Sequence, residues 1–544
     1  MEEQKQRLGL ILAGLLLGTF VSALDQTIVS TAIGTIVGQL GGLDQFVWVT
    51  SAYMATEMAG MPIFGKLSDM YGRKRFFLFG ILTFLVGSVL CGTAHSITEL
   101  AVYRAIQGIG GGALMPIAFT ILFDVAPAEL MGKFSGLIGA VFGVSSIAGP
   151  LLGSFITDHL GWRWVFYVNV PLGLVACALV ALAYHESRRH PKETIDWMGI
   201  LTLVPAVACL MFAMEFGGNR YGWTDGPELA LFAGALVCFA AFFLAEARAR
   251  APIVDYGMFR YRLFAGSIWV GLFASAAFIV AVVYIPIYVQ GVRGGTATNS
   301  GLVLLPMMLG SSFAAPIGGQ LASRFRYRTI MWVACAILLA GVAGLSTLTP
   351  QTPRWLLTVY MILVGLGIGP SFSVLGMASM HHFYAHQRGA ASSTVSFIRE
   401  LGMTVGITVF GALQRDDFAA RLKQAFAGMP GAGNGFGAGA GAGAGTGFGG
   451  GAGVGGSGGI DPHVILAPEV RAHIPAPVLD RLTSALSASI THTFLWAILL
   501  AALAFVFVFW LGAERWQGFA DARGAGAGPG GVAKVPGAGE ASRT

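Results

Sequence analysis

Charge is scarce in this sequence: 11% of the 544 residues are Asp, Glu, Lys or Arg, against 55% hydrophobic residues. A chain of this size with so little polar surface does not dissolve as an ordinary soluble domain and belongs in lipid. Cysteine is scarce too. Cys91, Cys177, Cys209, Cys238 and Cys335 all lie inside apolar runs with no CxxC pair, which excludes a disulfide scaffold or a thiolate metal site and leaves reduced packing residues. The glycine run Gly110-Gly111-Gly112 has no Gly-Lys-Ser/Thr after it, so it is not a phosphate loop. No nucleophile, base and metal-ligand constellation is present. The expectation is a protein that is no enzyme and carries neither cofactor nor metal. His381, His382 and His386 have a spacing that can hold a metal, but no Cys or Asp accompanies them, and they read as a solvated loop. The formal net charge of +6 does not point to nucleic acid, because the basic residues sit in short loops beside apolar runs.

What the chain has in abundance is apolar runs long enough to cross a bilayer, which takes about 20 residues. Fourteen are read: 8–37, 46–64, 76–95, 98–122, 133–157, 164–184, 197–217, 228–246, 263–290, 299–322, 329–349, 354–378, 389–413 and 491–512. Lys5 and Arg7 precede the first as in a signal peptide, yet the run continues past Asp25 without a cleavage site, so it reads as a retained helix. Arg73, Lys74, Arg75, Arg188, Arg189, Lys192, Arg248, Arg250, Arg260, Arg262, Arg324, Arg326, Arg328, Arg388, Arg515 and Arg523 fall after even-numbered spans. Both termini are therefore expected on the cytoplasmic side of a cell membrane.

An internal repeat groups the spans. The loop Gly65-Lys66-Leu67-Ser68-Asp69-Met70-Tyr71-Gly72-Arg73-Lys74-Arg75 returns, degraded, as Gly319 to Arg328. Gln107 to Gly112 is echoed by Val364 to Gly369, and Gly132 and Gly149 by Gly389 and Gly406. The offset of about 257 residues is longer than six spans need, so two extra helices separate two related halves. The expected division is 1–190 for the first six-helix bundle, 191–260 for the extra pair and 261–544 for the second bundle. The last part contains an external loop over 414–490 and a Gly-rich tail over 520–544. Within the loop Gly431 to Gly459 is almost wholly Gly and Ala, a composition expected to behave as a flexible coil. Pro468 to Ser489 has apolar residues at helical spacing and reads as a short helix along the outer interface.

Ionisable residues inside the spans are the functional candidates, since a charge at the bilayer centre costs about 2.5–3.5 kcal/mol on the insertion scale and persists where a partner or cavity compensates. Asp25, Glu57, Arg104, Arg399 and Glu400 qualify. At about 1.5 Å rise per residue, Asp25 lies roughly 15 Å and Arg104 roughly 10 Å below the outer ends of their spans, near enough in depth to pair. Glu57 and Glu400 fall near the midplane. Burial there favours the neutral carboxyl and an arriving cation favours the ionised one, the physical basis of proton-for-cation exchange. The alternative for each is a buried acid that only satisfies a helix contact.

GKLSDMYGRKR after span two, RAIQGIGGGALMP in span four, GVSSIAGPLLG in span five and LDQTIV in span one together resemble the major facilitator superfamily, and with fourteen spans its QacA/EmrB-like drug:proton antiporter family. The resemblance implies an all-α polytopic fold of two six-helix bundles plus two extra helices. It also implies proton-coupled efflux of amphipathic small molecules, cationic ones among them, by a monomer, through Asp25, Glu57, Arg104, Arg399 and Glu400. It assigns Gly65, Asp69, Gly72, Arg73 and Asp124 to a cytoplasmic gate, with Asp69 accepting from a neighbouring helix N-terminus and Arg73 paired with Asp124. Gly136, Gly149, Pro150 and Gly153 would form the antiporter motif, close-packed and bent. The sequence departs from the pattern at six positions. Ser145 and Ser154 replace glycines, Ser323 and Arg326 spoil the second loop, Ser51 stands where the QacA branch has an acid, and Glu400 stands where Gln is common. Uptake of a nutrient, lipid export, or a receptor or scaffold that kept the fold remain the competing readings.

Overall fold

In hydrocarbon no water satisfies a free N–H or C=O, so the apolar runs close their hydrogen bonds within themselves as helices. The computed structural model describes residues 2–41, 47–186, 194–217, 222–295, 297–426 and 476–516. Fifteen α-helices are formed among them: α1 (Glu2–Leu40), α2 (Val47–Tyr71), α3 (Arg73–Thr93), α4 (Ile97–Val125), α5 (Met131–His159), α6 (Arg163–Tyr167), α7 (Asn169–Ala183), α8 (Trp197–Phe216), α9 (Gly226–Arg248), α10 (Arg262–Ile287), α11 (Ala297–Leu321), α12 (Tyr327–Leu345), α13 (Arg354–Met380), α14 (Arg388–Phe426) and α15 (Ala476–Phe507). Helices α6 and α7 form one span, broken at Val168. Pro171 has no N–H to give the carbonyl four residues earlier, which frees the chain to turn there.

Thirteen spans among the described residues are long and apolar enough to cross a membrane. The remaining long helix, α2, carries Thr50, Ser51, Thr56, Glu57, Lys66, Ser68 and Asp69. It tolerates them because it packs on α4, α14 and α8, with Ser51, Glu57, Ser68 and Asp69 buried. Counting it restores the expected fourteen.

The loop expected over 414–490 needs correction. Helix α14 continues to Phe426 and the last helix already starts at Ala476, so both ends of that range are helical and the piece expected along the interface is in part the beginning of α15. Polar residues such as Arg415, Asp416 and Asp417 end the apolar run. They do not end the helix, whose backbone bonds are indifferent to the membrane boundary. Gly431 to Gly459, Arg188, Arg189, Lys192 and the tail over 520–544 lie outside the described residues.

The repeat is visible in the packing. Gly108 and Gly112 of α4 let the backbone of α2 approach at Tyr53 and Glu57, while Gly365 and Gly369 of α13 do the same for α11 at Met307 and Ser311. Gly110 meets Phe84 of α3, and Gly367 meets Leu338 of α12. Small residues at these crossings replace the hydrophobic drive that lipid does not supply. Helices α8 and α9 pack on each other, with α8 leaning on α2 and touching α14.

Where the halves meet is decided by the same small residues. Gly132 and Gly136 of α5 touch Gly319 and Pro316 of α11, Gly143 meets Ser312, and Gly65 of α2 abuts Gly389 and Ser393 of α14. All of these lie toward the end of the molecule that carries Arg73, Lys74, Arg324, Arg326 and Arg388, the basic end. Toward the opposite end α5 gives its small face to its own half instead, Gly149 against Thr27 and Gly153 against Ile28 and Thr31 of α1. The molecule is thus shut at the basic end.

Candidate functional site

Asp25 is fully buried in α1 and forms an ion pair with Arg104 of α4, itself 1% exposed. Gln107 Nε2 and Asn169 Nδ2 donate to Asp25 Oδ1 at 2.9 and 2.8 Å. Both amides also reach Ser88 Oγ, at 3.3 and 3.0 Å, and that hydroxyl donates to the Phe166 carbonyl at 2.8 Å. Arg104 donates to Gln107 Oε1 at 2.7 Å and to the Val49 carbonyl at 3.2 Å, and its guanidinium lies 4.0 Å from the centre of the Tyr53 ring. One carboxylate thereby ties together α1, α3, α4 and α7. The depth match of Asp25 with Arg104 was legible in the sequence. The neutral partners Ser88, Gln107 and Asn169 were not singled out, although polar residues within apolar runs are a signal that would have found them.

Glu57 of α2 is buried, and the Gln26 amide donates to both of its oxygens at 3.0 and 2.9 Å. Gln26 follows Asp25 in the LDQTIV run, so adjacent residues of α1 engage Arg104 of α4 and Glu57 of α2. Glu400, half-buried, lies on α14 of the other half, the helix that packs on α2 across the halves. Its neighbour Arg399 reaches α4 and α13: Nη2 lies 3.2 Å from Met115 Sδ, the guanidinium is 5.0 Å from the Phe372 ring centre, and among the described residues Nε is buried without a hydrogen-bond partner. Phe372 in turn stacks on Phe142 of α5 at 5.9 Å. Arg399 is thus placed in an apolar seal between the halves, apart from the Asp25–Arg104 pair.

At the basic end, Arg73 pairs with Asp69 at 3.0 Å and with Asp124, and donates to the carbonyls of Thr120, at 3.2 Å, and Ala385. Asp69 Oδ2 accepts from the Ala390 amide in the first turn of α14 at 3.0 Å. That bond joins the two halves. It sits where the helix dipole favours an anion. Gly72 holds φ at 115°, in the region where a side chain is strained, and so allows α2 to turn directly into α3. Glu186, which the sequence did not mark, accepts from the Arg73 amide at 2.7 Å and caps α3. Among the described residues the degraded copy shows a local bond in place of that link: Ser323 Oγ, just past the end of α11, donates to the Gln320 carbonyl at 2.7 Å.

The glycine motif of α5 serves both neighbours, with Gly136 on α11 and Gly149 and Gly153 on α1, while Pro150 is exposed. Ser145 keeps the packing role of the glycine it replaces: it is buried, and its carbonyl accepts from Thr27 Oγ1 at 3.1 Å. Ser154 is exposed and bonds the Pro150 carbonyl of its own helix at 2.9 Å.

Of the histidines read as a solvated loop, His386 is exposed, while His381 and His382 meet the segment after α15 at Trp516 and Glu514. His382 Nε2 lies 3.5 Å from Glu514 and its ring stacks on Tyr261, while His381 is 3.3 Å from the Tyr327 hydroxyl. Burial and the neighbouring His382 push His381 down to about 4, so it stays neutral at physiological pH, and the hydrogen bond from His382 holds Glu514 below the usual carboxylate range.

The family model described as Major Facilitator Superfamily matches residues 15–407. Multidrug resistance protein 3 of Bacillus subtilis is 47% identical over 506 residues, 93% of this chain and 95% of that protein. Multidrug transporter protein MdtP of the same organism is 36% identical over 412 residues, 76% of each chain. Among solved structures, the proton:xylose symporter XylE is similar with a TM-score of 0.55 at 14% identity, covering 77% of this chain and 91% of that one. The human organic anion transporter MFSD10 gives a TM-score of 0.54 at 13% identity, covering 92% and 99%. At such identities the structural likeness speaks for the fold.

Proposed function

The chain belongs to the major facilitator superfamily, and on that premise we propose that it is a proton-driven exporter of amphipathic, predominantly cationic small molecules, working as a monomer by alternating access. The family is one of transporters and not of enzymes, and two relatives bear multidrug names. The observation that carries the reading is the carboxylate pair Glu57 and Glu400, one acid from each half, carried by α2 and α14 where those two helices pack on each other across the halves. Two such acids cannot both ionise cheaply without a cation between or beside them. A cationic substrate and a proton therefore compete for the same charge. Asp25, locked to Arg104, is the proton carrier that links this competition to the shape of the first half.

By the positive-inside rule the basic end faces the cytoplasm. The structure, shut there, is then the outward-facing state, held by the Asp69–Ala390 bond and the α5–α11 and α2–α14 glycine crossings. The test is uptake of a panel of cationic, neutral and lipid-like compounds into inverted vesicles. An acidic lumen should drive accumulation of the amphipathic cations, because protons leave as substrate enters. Uptake driven only by a gradient of the opposite sign would favour symport, and no gradient-driven flux would sink the reading.

Asp69→Asn bears on the gate. The amide keeps the shape but loses the charge facing Arg73 and the α14 N-terminus, so the outward-facing state loses a stabilising contact and the populations shift. Turnover should fall several-fold while substrate affinity of the purified protein stays within about twofold, since the site lies far from the midplane. Unchanged turnover, or a defect confined to affinity, would refute the gate role.

A further inference from the structure

Helices α8 and α9 lie between the two halves in the chain. Helix α8 reaches the end opposite the basic one with Phe212, Glu215 and Phe216, spaced i, i+3 and i+4 and hence on one face. Across from it α2 presents Trp48 and Ser51, also three apart. The faces meet: Trp48 lies 4.7 Å from Phe212 and 5.2 Å from Phe216, ring centre to ring centre, and Ser51 Oγ donates to Glu215 Oε2 at 3.0 Å. All four of Trp48, Phe212, Glu215 and Phe216 are only partly buried. Arg415 of α14 reaches the Gly217 carbonyl at 3.5 Å just beyond, so the place is bounded by the first half, the extra pair and the second half together.

A carboxylate backed by three aromatic rings is suited to a bulky organic cation, which gains from the charge and from the ring faces at once. A neutral ligand would gain only the apolar contact. We propose that Glu215, Trp48, Phe212 and Phe216 form a second station for lipophilic monovalent cations at the outer mouth, one built by the extra helix α8 and separate from the Glu57–Glu400 pair. Glu57 is six residues further along α2, about 9 Å deeper, so a cation leaving the central acids meets Glu215 before it reaches the outer end. The station explains why α8 is held against α2 by a polar contact in a helix face otherwise apolar.

The proposal deepens the export reading and rests on it for the transport measurement; the binding measurement does not need it. Full-length protein in lipid nanodiscs is titrated with tetraphenylphosphonium and, as a neutral comparator of similar shape, triphenylphosphine oxide. Glu215→Gln should weaken tetraphenylphosphonium binding by about tenfold and change triphenylphosphine oxide binding by less than about twofold. The exchange Ser51→Glu with Glu215→Ser, which moves the carboxylate across the same contact, should recover most of the loss. Trp48→Leu, with the acid intact, should again weaken the cation more than the neutral probe, and it serves if Glu215→Gln folds poorly. Equal losses for both probes, no loss in Glu215→Gln, or no recovery in the exchange would overturn the station. If the binding pattern holds but wild-type vesicles show no gradient-driven flux, the export reading falls and the station stands. If flux is present and the tetraphenylphosphonium KM of Glu215→Gln is unchanged, the station falls and export stands.

Discussion

Asp25→Asn is expected to bring gradient-driven flux in inverted vesicles down to that of empty vesicles, with insertion and substrate exchange in the absence of a gradient retained. The substitution removes one titratable proton and almost no volume. Arg104 would lose its anion but keep Gln107 Oε1, the Val49 carbonyl and the Tyr53 ring as partners, which is why the fold should survive. The amide oxygen can still accept from Gln107 or Asn169, whose geometry fits either a carboxylate or a carbonyl. If the proton that drives export rides on Asp25, exchange of labelled for unlabelled substrate continues while accumulation stops. Normal accumulation would show that Asp25 is a structural acid and that the coupling proton is carried elsewhere, with Glu57 and Glu400 the next candidates. Loss of both activities in a well-folded protein would place Asp25 in substrate binding.

The other large effect is on stability. Arg104→Ala leaves Asp25 buried and unpaired, a loss of the kind that costs about 3–5 kcal/mol when one partner of a buried pair is removed. It also removes the bonds to Gln107 and Val49 and the contact with Tyr53. The double variant Asp25→Asn with Arg104→Gln should melt at a higher temperature in detergent than Arg104→Ala alone, because no unpaired charge remains, although it should not transport. Such non-additivity is the signature of a direct interaction. If the effects of the two sites simply add, the ion pair contributes nothing to holding α1 against α4.

The Asp25–Arg104 pair also shows how far a sequence can be read for a membrane protein. Its two members were found because charge in hydrocarbon is rare, and their depths matched by helix geometry alone. Ser88 and Asn169, and Gln107 beyond its place in the repeated glycine run, are neutral, common in apolar helices and recognisable as partners only when four helices are assembled. The gate shows the same division. Asp69 and Arg73 stand out in a basic turn with two glycines, and Asp124 as an acid at the end of α4, whereas Glu186 stands in an unmarked connection, and its place on the α3 amide depends on where the end of α7 comes to rest. The boundaries misjudged around 414 and 490 have a simpler cause. An apolar threshold measures the hydrocarbon, and α14 and α15 extend past it.

By itself the sequence determined that this chain crosses a membrane many times, that it does so in two related halves with a helix pair between them, and which buried charges had to find partners. Those follow from local quantities: the cost of an unpaired polar group in lipid, the length of a span and the spacing of a repeat. Which end is shut, which acid faces which, and that α8 brings Glu215 against Ser51 were decided only by the tertiary structure. They depend on how closely helices distant in sequence approach, and that is set by glycines and serines whose small size looks alike in every apolar run until a particular neighbour is packed against them.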